Sequence, residues 1–327
     1  LDPDEQTIVC ALQAVCILAE SEEALIAEKY QTRTISLEIG CALHAYAHRK
    51  GLTSDVFVCN TLVSMYGKCG AIVEAEHVFG GMSDHNVISW TAMISAYHEL
   101  GQGDTALQLY VQMQHKAVHA DQLTYTIVLQ ACGILAEKEE ATAPKDLSYK
   151  IIALEIGQHL HDDVKAKGFG LDAFIGTALL NMYSKCGILG EAQDVFDELL
   201  VHDVVSWTTL ISAYVEHNHP ERALEFFQQM KHEGVIPNGF TFVCGLKACG
   251  YIGTINKVLE MHAEIAHQGM VDADIVVGNT LVDVYAKCDG IVNMEQTFNK
   301  IPIKDVVSWT TLIRGYLEHG YGEDALK

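Results

Sequence analysis

Positive charge is scarce in this chain of 327 residues: 21 lysines and arginines stand against 43 aspartates and glutamates, a formal net charge of −22. That balance argues against a generic basic binder of nucleic acid or membrane surfaces. Proline is scarce too, at 5 residues, which argues against a proline-rich linker between two domains. No apolar run approaches the ~18 residues of a membrane span; the longest, Ile8 to Ala19, is interrupted by Gln13. No C-x-x-C pair occurs, so the 10 cysteines give no support for zinc knuckles or a thioredoxin-like redox motif. Disorder is excluded by a hydrophobic content of 49%. The chain begins Leu-Asp-Pro-Asp and stops at Ala-Leu-Lys, which reads as an excerpt.

What the chain has is repetition. Trp90, Trp207 and Trp309 lie 117 and 102 residues apart, and Tyr66, Tyr183 and Tyr285 repeat both separations. Phe79, Phe196 and Phe298 do so again, and four unrelated residue types sharing one period make coincidence untenable once Ala106, Ala223 and Ala325 are added. Each long period divides into shorter units of 31 residues (56–86, 173–203, 275–305), 35 residues (87–121, 204–238) and 36 residues (239–274). Units 5–55 and 122–172 carry 15 extra residues each, and the last unit, 306–327, is cut short.

Within a unit the apolar spacing is helical. Val204, Trp207, Leu210, Ile211 and Tyr214 form one stripe; Asn218-His219-Pro220 interrupts it; Ala223, Leu224, Phe226, Phe227 and Met230 form a second. Each unit is therefore a hairpin of two short helices. Neither helix can bury its stripe alone, so the fold expected is all-α: an α-α superhelix, a solenoid of stacked helix-turn-helix repeats. The charged insertions at Ser21 to Arg33 and Glu137 to Ser148 are expected to bulge between the helices of their hairpins. Cys69, Cys186 and Cys288 recur in register after Tyr-x-Lys, as small buried hydrophobes would, with reduced thiols the corollary.

The strings Val-Val-Ser-Trp-Thr-Thr-Leu-Ile-Ser-Ala-Tyr at 204–214 and Thr-Leu-Val-Ser-Met-Tyr-Gly-Lys-Cys-Gly at 61–70, with the 31/35/36 alternation, resemble the plant pentatricopeptide repeat family, in its PLS subclass. In those terms 5–55, 122–172 and 239–274 are L motifs, 56–86, 173–203 and 275–305 S motifs, and 87–121, 204–238 and 306–327 P motifs. The resemblance implies binding of single-stranded RNA in mitochondria or chloroplasts, one nucleotide per repeat. It implies no enzyme, cofactor, metal, membrane or small-molecule substrate, and a role as the specificity part of an organelle RNA-processing factor, most often in C-to-U editing with a possible protein partner. A protein-interaction scaffold like the tetratricopeptide solenoids is the alternative, and the acidity favours it.

The same resemblance assigns base reading to the fifth and last residue of each motif. These are Asn60 with Asn86, Thr91 with Asp121, Thr126 with Asp172, Thr177 with Asp203, Thr208 with Asn238 and Asn279 with Asp305, while the shortened last motif keeps Thr310. Val9 and Val243 fill the fifth place of the other L motifs and have no side-chain hydrogen bond to give. Carried over from the family, the code reads C-G-N-G-A-N-U. Asn and Asp just before a helix are also ordinary N-caps, and both roles can coexist. The second residue of each motif would flank the base: Phe57, Ile88, Leu123, Phe174, Val205, Phe240, Val276 and Val307, unless that column is inter-helix packing. Lys68, Lys185 and Lys287 sit where family members contact phosphate, although Glu99, Glu216 and Glu318 hold that column in the P motifs. His262-Ala263-Glu264 matches half of a zinc-deaminase signature, but His262 shares its column with His44 and His161 and is read as a scaffold residue.

Overall fold

The computed structural model describes residues 3–25, 33–138, 149–169, 173–270 and 274–326. Eighteen α-helices and no strand occur among them. In chain order they are α1 (Glu5–Leu25), α2 (Arg33–Arg49), α3 (Val56–Lys68), α4 (Ile72–Gly81), α5 (Val87–Glu99), α6 (Gly103–His115), α7 (Gln122–Glu137), α8 (Tyr149–Ala166) and α9 (Ala173–Cys186). They continue as α10 (Leu189–Glu198), α11 (Val204–Glu216), α12 (Pro220–His232), α13 (Gly239–Ile252), α14 (Ile255–His267), α15 (Ile275–Lys287), α16 (Ile291–Lys300), α17 (Val306–Glu318) and α18 (Gly322–Ala325). The chain forms two compact units, Leu1–Cys186 and Gly187–Lys327. In the first, the odd-numbered helices α1, α3, α5, α7 and α9 pack successively on one another, with α2, α4, α6 and α8 against them. In the second, α11, α13, α15 and α17 do the same, with α12, α14 and α16 against them.

One turn residue makes the hairpins. The fifteenth position of a unit is Gly70, Gly101, Gly187, Gly253 or Gly320, with φ between 70° and 81°, or else Asn218 at 61° or Asp289 at 59°. Only residue types that tolerate the left-handed region stand there, and the helix cannot continue through them. In the two long units that position is Ala19 and Ala136, both buried within a helix. This corrects the expected insertion boundaries: α1 runs on through Ser21 to Leu25 and α7 reaches Glu137, because alanine and glutamate favour the helix where a turn residue is missing. The rest of both insertions, at 26–32 and 139–148, lies outside the described residues.

The core lies between the two helix layers of each unit. Trp207 is fully buried, and its ring meets Phe196 edge-on at 4.6 Å; Trp90 and Phe79 repeat the contact at 5.1 Å. His44 Nδ1 lies 2.9 Å from the Tyr66 hydroxyl, His161 Nδ1 2.9 Å from that of Tyr183, and His262 Nδ1 2.7 Å from that of Tyr285. These bonds fasten each of α2, α8 and α14 to the first helix of the hairpin that follows. His262 is thus a scaffold residue, and no cluster of three or more metal-ligating side chains occurs among the described residues. All ten cysteines are free thiols. Cys69 is buried as the pattern suggests, whereas Cys186 and Cys288 are only half-buried.

Candidate nucleic-acid interface

The last residue of a unit is the N-cap of the next first helix. Asn86 Oδ1 accepts from the Ser89 N–H at 3.0 Å, Asp121 Oδ1 from Thr124 at 2.8 Å, and Asp203 Oδ1 from Ser206 at 2.8 Å. Asn238 Oδ1 accepts from Thr241 at 2.9 Å, and Asp305 Oδ1 from Ser308 at 2.8 Å. Asp55 and Asp274, closing the units 5–55 and 239–274, cap α3 and α15 in the same way. Each such cap contributes about 1 kcal/mol. The Ser308 N–H and then its hydroxyl, with the Asn279 amide, hold the Asp305 carboxyl below its usual range. Capping consumes one oxygen of each side chain. Asp121, Asp203 and Asp305 keep Oδ2, an acceptor; Asn86 and Asn238 keep Nδ2, a donor, and the cap itself fixes which way each amide points.

Four fifth residues, Asn60, Thr91, Thr208 and Asn279, lie beside these caps. Asn60, Thr91, Thr126, Thr208 and Asn279 are buried, Thr177 is half-buried, and Thr310 on the last full-length helix is exposed. Asn60 Nδ2 donates to Asn86 Oδ1 at 3.4 Å, and Asn279 Nδ2 to Asp305 Oδ1 at 3.4 Å. The Oδ1 atoms of Asn60 and Asn279 are buried with no hydrogen-bond partner. Beside α5 and α11 a third residue joins the two. Thr91 Oγ1 is 2.7 Å from Thr124 Oγ1, which donates to Asp121 Oδ1 at 2.6 Å. Thr208 Oγ1 is likewise 2.7 Å from Thr241 Oγ1, which donates to Asn238 Oδ1 at 2.9 Å. Thr124 and Thr241 spend their single proton on the cap, so Thr91 and Thr208 direct theirs to threonine or to the carbonyls of Val87 and Val204. What these two hydroxyls keep is lone pairs. Sequence reasoning missed Thr124 and Thr241, although both stand third in their motifs, where the P motifs carry serine. Asp172, the partner assigned to Thr126, lies outside the described residues.

The second-residue column is solvent-facing throughout. Phe57 is 64% exposed, Phe174 77% and Phe240 59%, and Ile88, Leu123, Val205, Val276 and Val307 all exceed 49%. Ordinary inter-helix packing does not account for eight exposed apolar side chains at one position. In the first unit a cavity of about 610 Å³ gathers Asn60, Thr91 and Asp121 with Ile88, Leu123 and Lys68. A larger one of about 770 Å³, between α12 and α14, is lined by none of these columns. The lysines do not stand alone: Lys68 pairs with Glu20 at 3.1 Å and Glu99 at 2.8 Å, Lys185 with Glu137 at 2.6 Å, and Lys287 with Asp283 at 2.9 Å.

Profiles of the PPR repeat family match residues 85–133 and 202–250, and the PPR repeat matches 57–87, 177–204 and 307–327. A chloroplastic pentatricopeptide repeat-containing protein of Arabidopsis thaliana is 33% identical over 99% of this chain and 47% of its own length. A mitochondrial one from the same plant is 31% identical over 88% of this chain and 26% of its own length. The chain therefore spans a quarter to half of these curated relatives. The solved pentatricopeptide repeat protein PPR10, in complex with an 18-nucleotide psaJ RNA element, superposes with a TM-score of 0.73 at 14% identity, covering 99% of this chain and 49% of that one. At that identity the likeness establishes the fold, an α-helical solenoid.

Proposed function

Because this chain belongs to the pentatricopeptide repeat family, we propose that it binds single-stranded RNA in a sequence-specific way, one nucleotide per repeat. The observation that carries this reading is the uncapped atom of Asn86, Asp121, Asn238 and Asp305 beside a polar fifth residue. At the centre of the Watson–Crick edge, adenine and cytosine present an acceptor nitrogen, whereas guanine and uracil present an N–H. The donor left on Asn86 and Asn238 suits the first pair of bases, and the acceptor left on Asp121, Asp203 and Asp305 suits the second. Thr91 and Thr208 offer lone pairs to the exocyclic amine that both purines carry next to that atom. Asn60 and Asn279 reach one atom further, toward a smaller pyrimidine: the Asn60 carbonyl oxygen suits the exocyclic amine of cytosine, and the second amide hydrogen of Asn279 suits a uracil carbonyl.

These choices give C-G-N-G-A-N-U from the first S motif onward, the L motifs being unassigned. The exposed second-residue column supplies apolar surface on either side of each base, an aliphatic and aromatic version of stacking. We read the motif alternation as that of the PLS subclass. The chain is then the specificity part of an RNA-processing factor of mitochondria or chloroplasts, with C-to-U editing as its pathway and the chemistry supplied by another domain or a protein partner. The test is a competition assay with strands that vary one position at a time. Thr208→Asn with Asn238→Asp should turn the fifth base from A to U and leave the other positions unchanged. A wild-type chain that binds no RNA at any salt concentration would instead favour the protein-interaction scaffold.

A further inference from the structure

All three S-motif lysines already hold carboxylates. Glu20 of α1 and Glu137 of α7 occupy the same sixteenth place of their L motifs and reach Lys68 and Lys185. The third L motif has Thr254 there, and Asp283 on the lysine's own helix takes over at 2.9 Å. Two different routes thus produce one outcome: a cation in the phosphate column with its charge compensated. Partly exposed pairs of this kind contribute little to stability, so folding alone is a weak reason for them. Lys68 is 32% exposed and Glu99 29%, and Lys68 and Glu20 line the same cavity as Asn60, Thr91 and Asp121.

We propose that Glu20 and Glu99 are specificity-determining residues whose carboxylates cancel the attraction of Lys68 for the RNA backbone, so that sequence-independent binding is suppressed and matched bases hold the strand. A phosphate arriving at Lys68 must displace Glu99 and then sits near two carboxylates, so the exchange gains almost nothing. A strand with the wrong bases receives no compensation from its backbone, which otherwise supplies non-specific affinity. This inference rests on the RNA-binding reading and deepens it.

The experiment measures fluorescence anisotropy across a salt series. It uses a 12-nucleotide strand carrying the matched sequence and a 12-nucleotide oligo(A). Glu20→Gln with Glu99→Gln should tighten oligo(A) binding roughly three- to tenfold and steepen the salt slope by about 0.7, one phosphate's worth on a single strand. Adding Lys68→Met should abolish that gain, and circular dichroism melts verify that each variant is folded. If the double variant leaves both affinity and slope unchanged while the wild type binds the matched strand, the carboxylates are ordinary surface partners and the proposal fails alone. A wild-type chain that binds neither strand overturns the RNA reading and this proposal together.

Discussion

Asn238→Asp separates capping from base reading at a single atom. Asn238 Oδ1 accepts from the Thr241 N–H and from its hydroxyl, each at 2.9 Å. Aspartate keeps that oxygen, so the cap persists and the charge at the helix N-terminus adds about 0.3–1 kcal/mol. The other atom changes from an N–H donor to an acceptor. Adenine then faces an acceptor opposite its own acceptor nitrogen, while guanine gains a partner for its N–H. Each term is worth about 1–3 kcal/mol, so the ratio of A to G affinity at the fifth base should swing by about 2–6 kcal/mol, at least roughly 30-fold. Asn238→Ala is the control: it removes cap and reader together, costs about 0.5–2 kcal/mol of stability, and also strands Thr241, on which Thr208 leans. Competition anisotropy reads the first effect and thermal denaturation the second. An Asn238→Asp variant that still prefers A refutes the idea that the uncapped atom reads the base. A melting temperature that falls as far as that of Asn238→Ala refutes the account of the cap.

Two residues apart on α13, Phe240→Ala should leave the melting temperature nearly unchanged yet weaken RNA binding by about 1–3 kcal/mol, whereas Phe242→Ala, fully buried, should cost about 3–5 kcal/mol of stability. Chemical denaturation and anisotropy on both variants check the contrast. The pH dependence follows from the scaffold histidines. Burial, with His48 and His77 nearby, lowers the His44 pKa from 6.5, and burial with Lys300 nearby lowers that of His262 from the same value. The unfolded chain therefore takes up protons that the folded chain refuses: stability is complete above pH 6.5 and declines below it until the depressed folded values are passed. Melts between pH 7 and pH 5 should show this decline, and His44→Phe with His262→Phe should make it shallower, the half-buried His98 supplying the remainder; an equal slope in the variant would place the acid sensitivity elsewhere.

The helical hairpins, their caps and their turn residues are legible in the letters alone. Those properties are local: a 3.6-residue apolar period, a cap, a residue that tolerates positive φ fifteen places into the unit. Even the dual character of Asn86, Asp121, Asp203, Asn238 and Asp305 was legible as two possible roles. Which atom the cap uses, and which it leaves, was decided only when a neighbouring hairpin brought Thr124 to Thr91 across 33 residues and Asn86 to Asn60 across 26. Tertiary structure also decided the second-residue column, because the same apolar types serve a core face or a solvent face, and only the stacking of neighbouring hairpins left Phe57 and Phe240 outside it. The lysines show the difference most clearly. As letters Lys68 and Lys185 are free cations, but Lys68 meets Glu20 from 48 residues before it and Glu99 from 31 residues after it. No local pattern specifies such a pairing; it exists because first helices pack side by side and bring one column against the next.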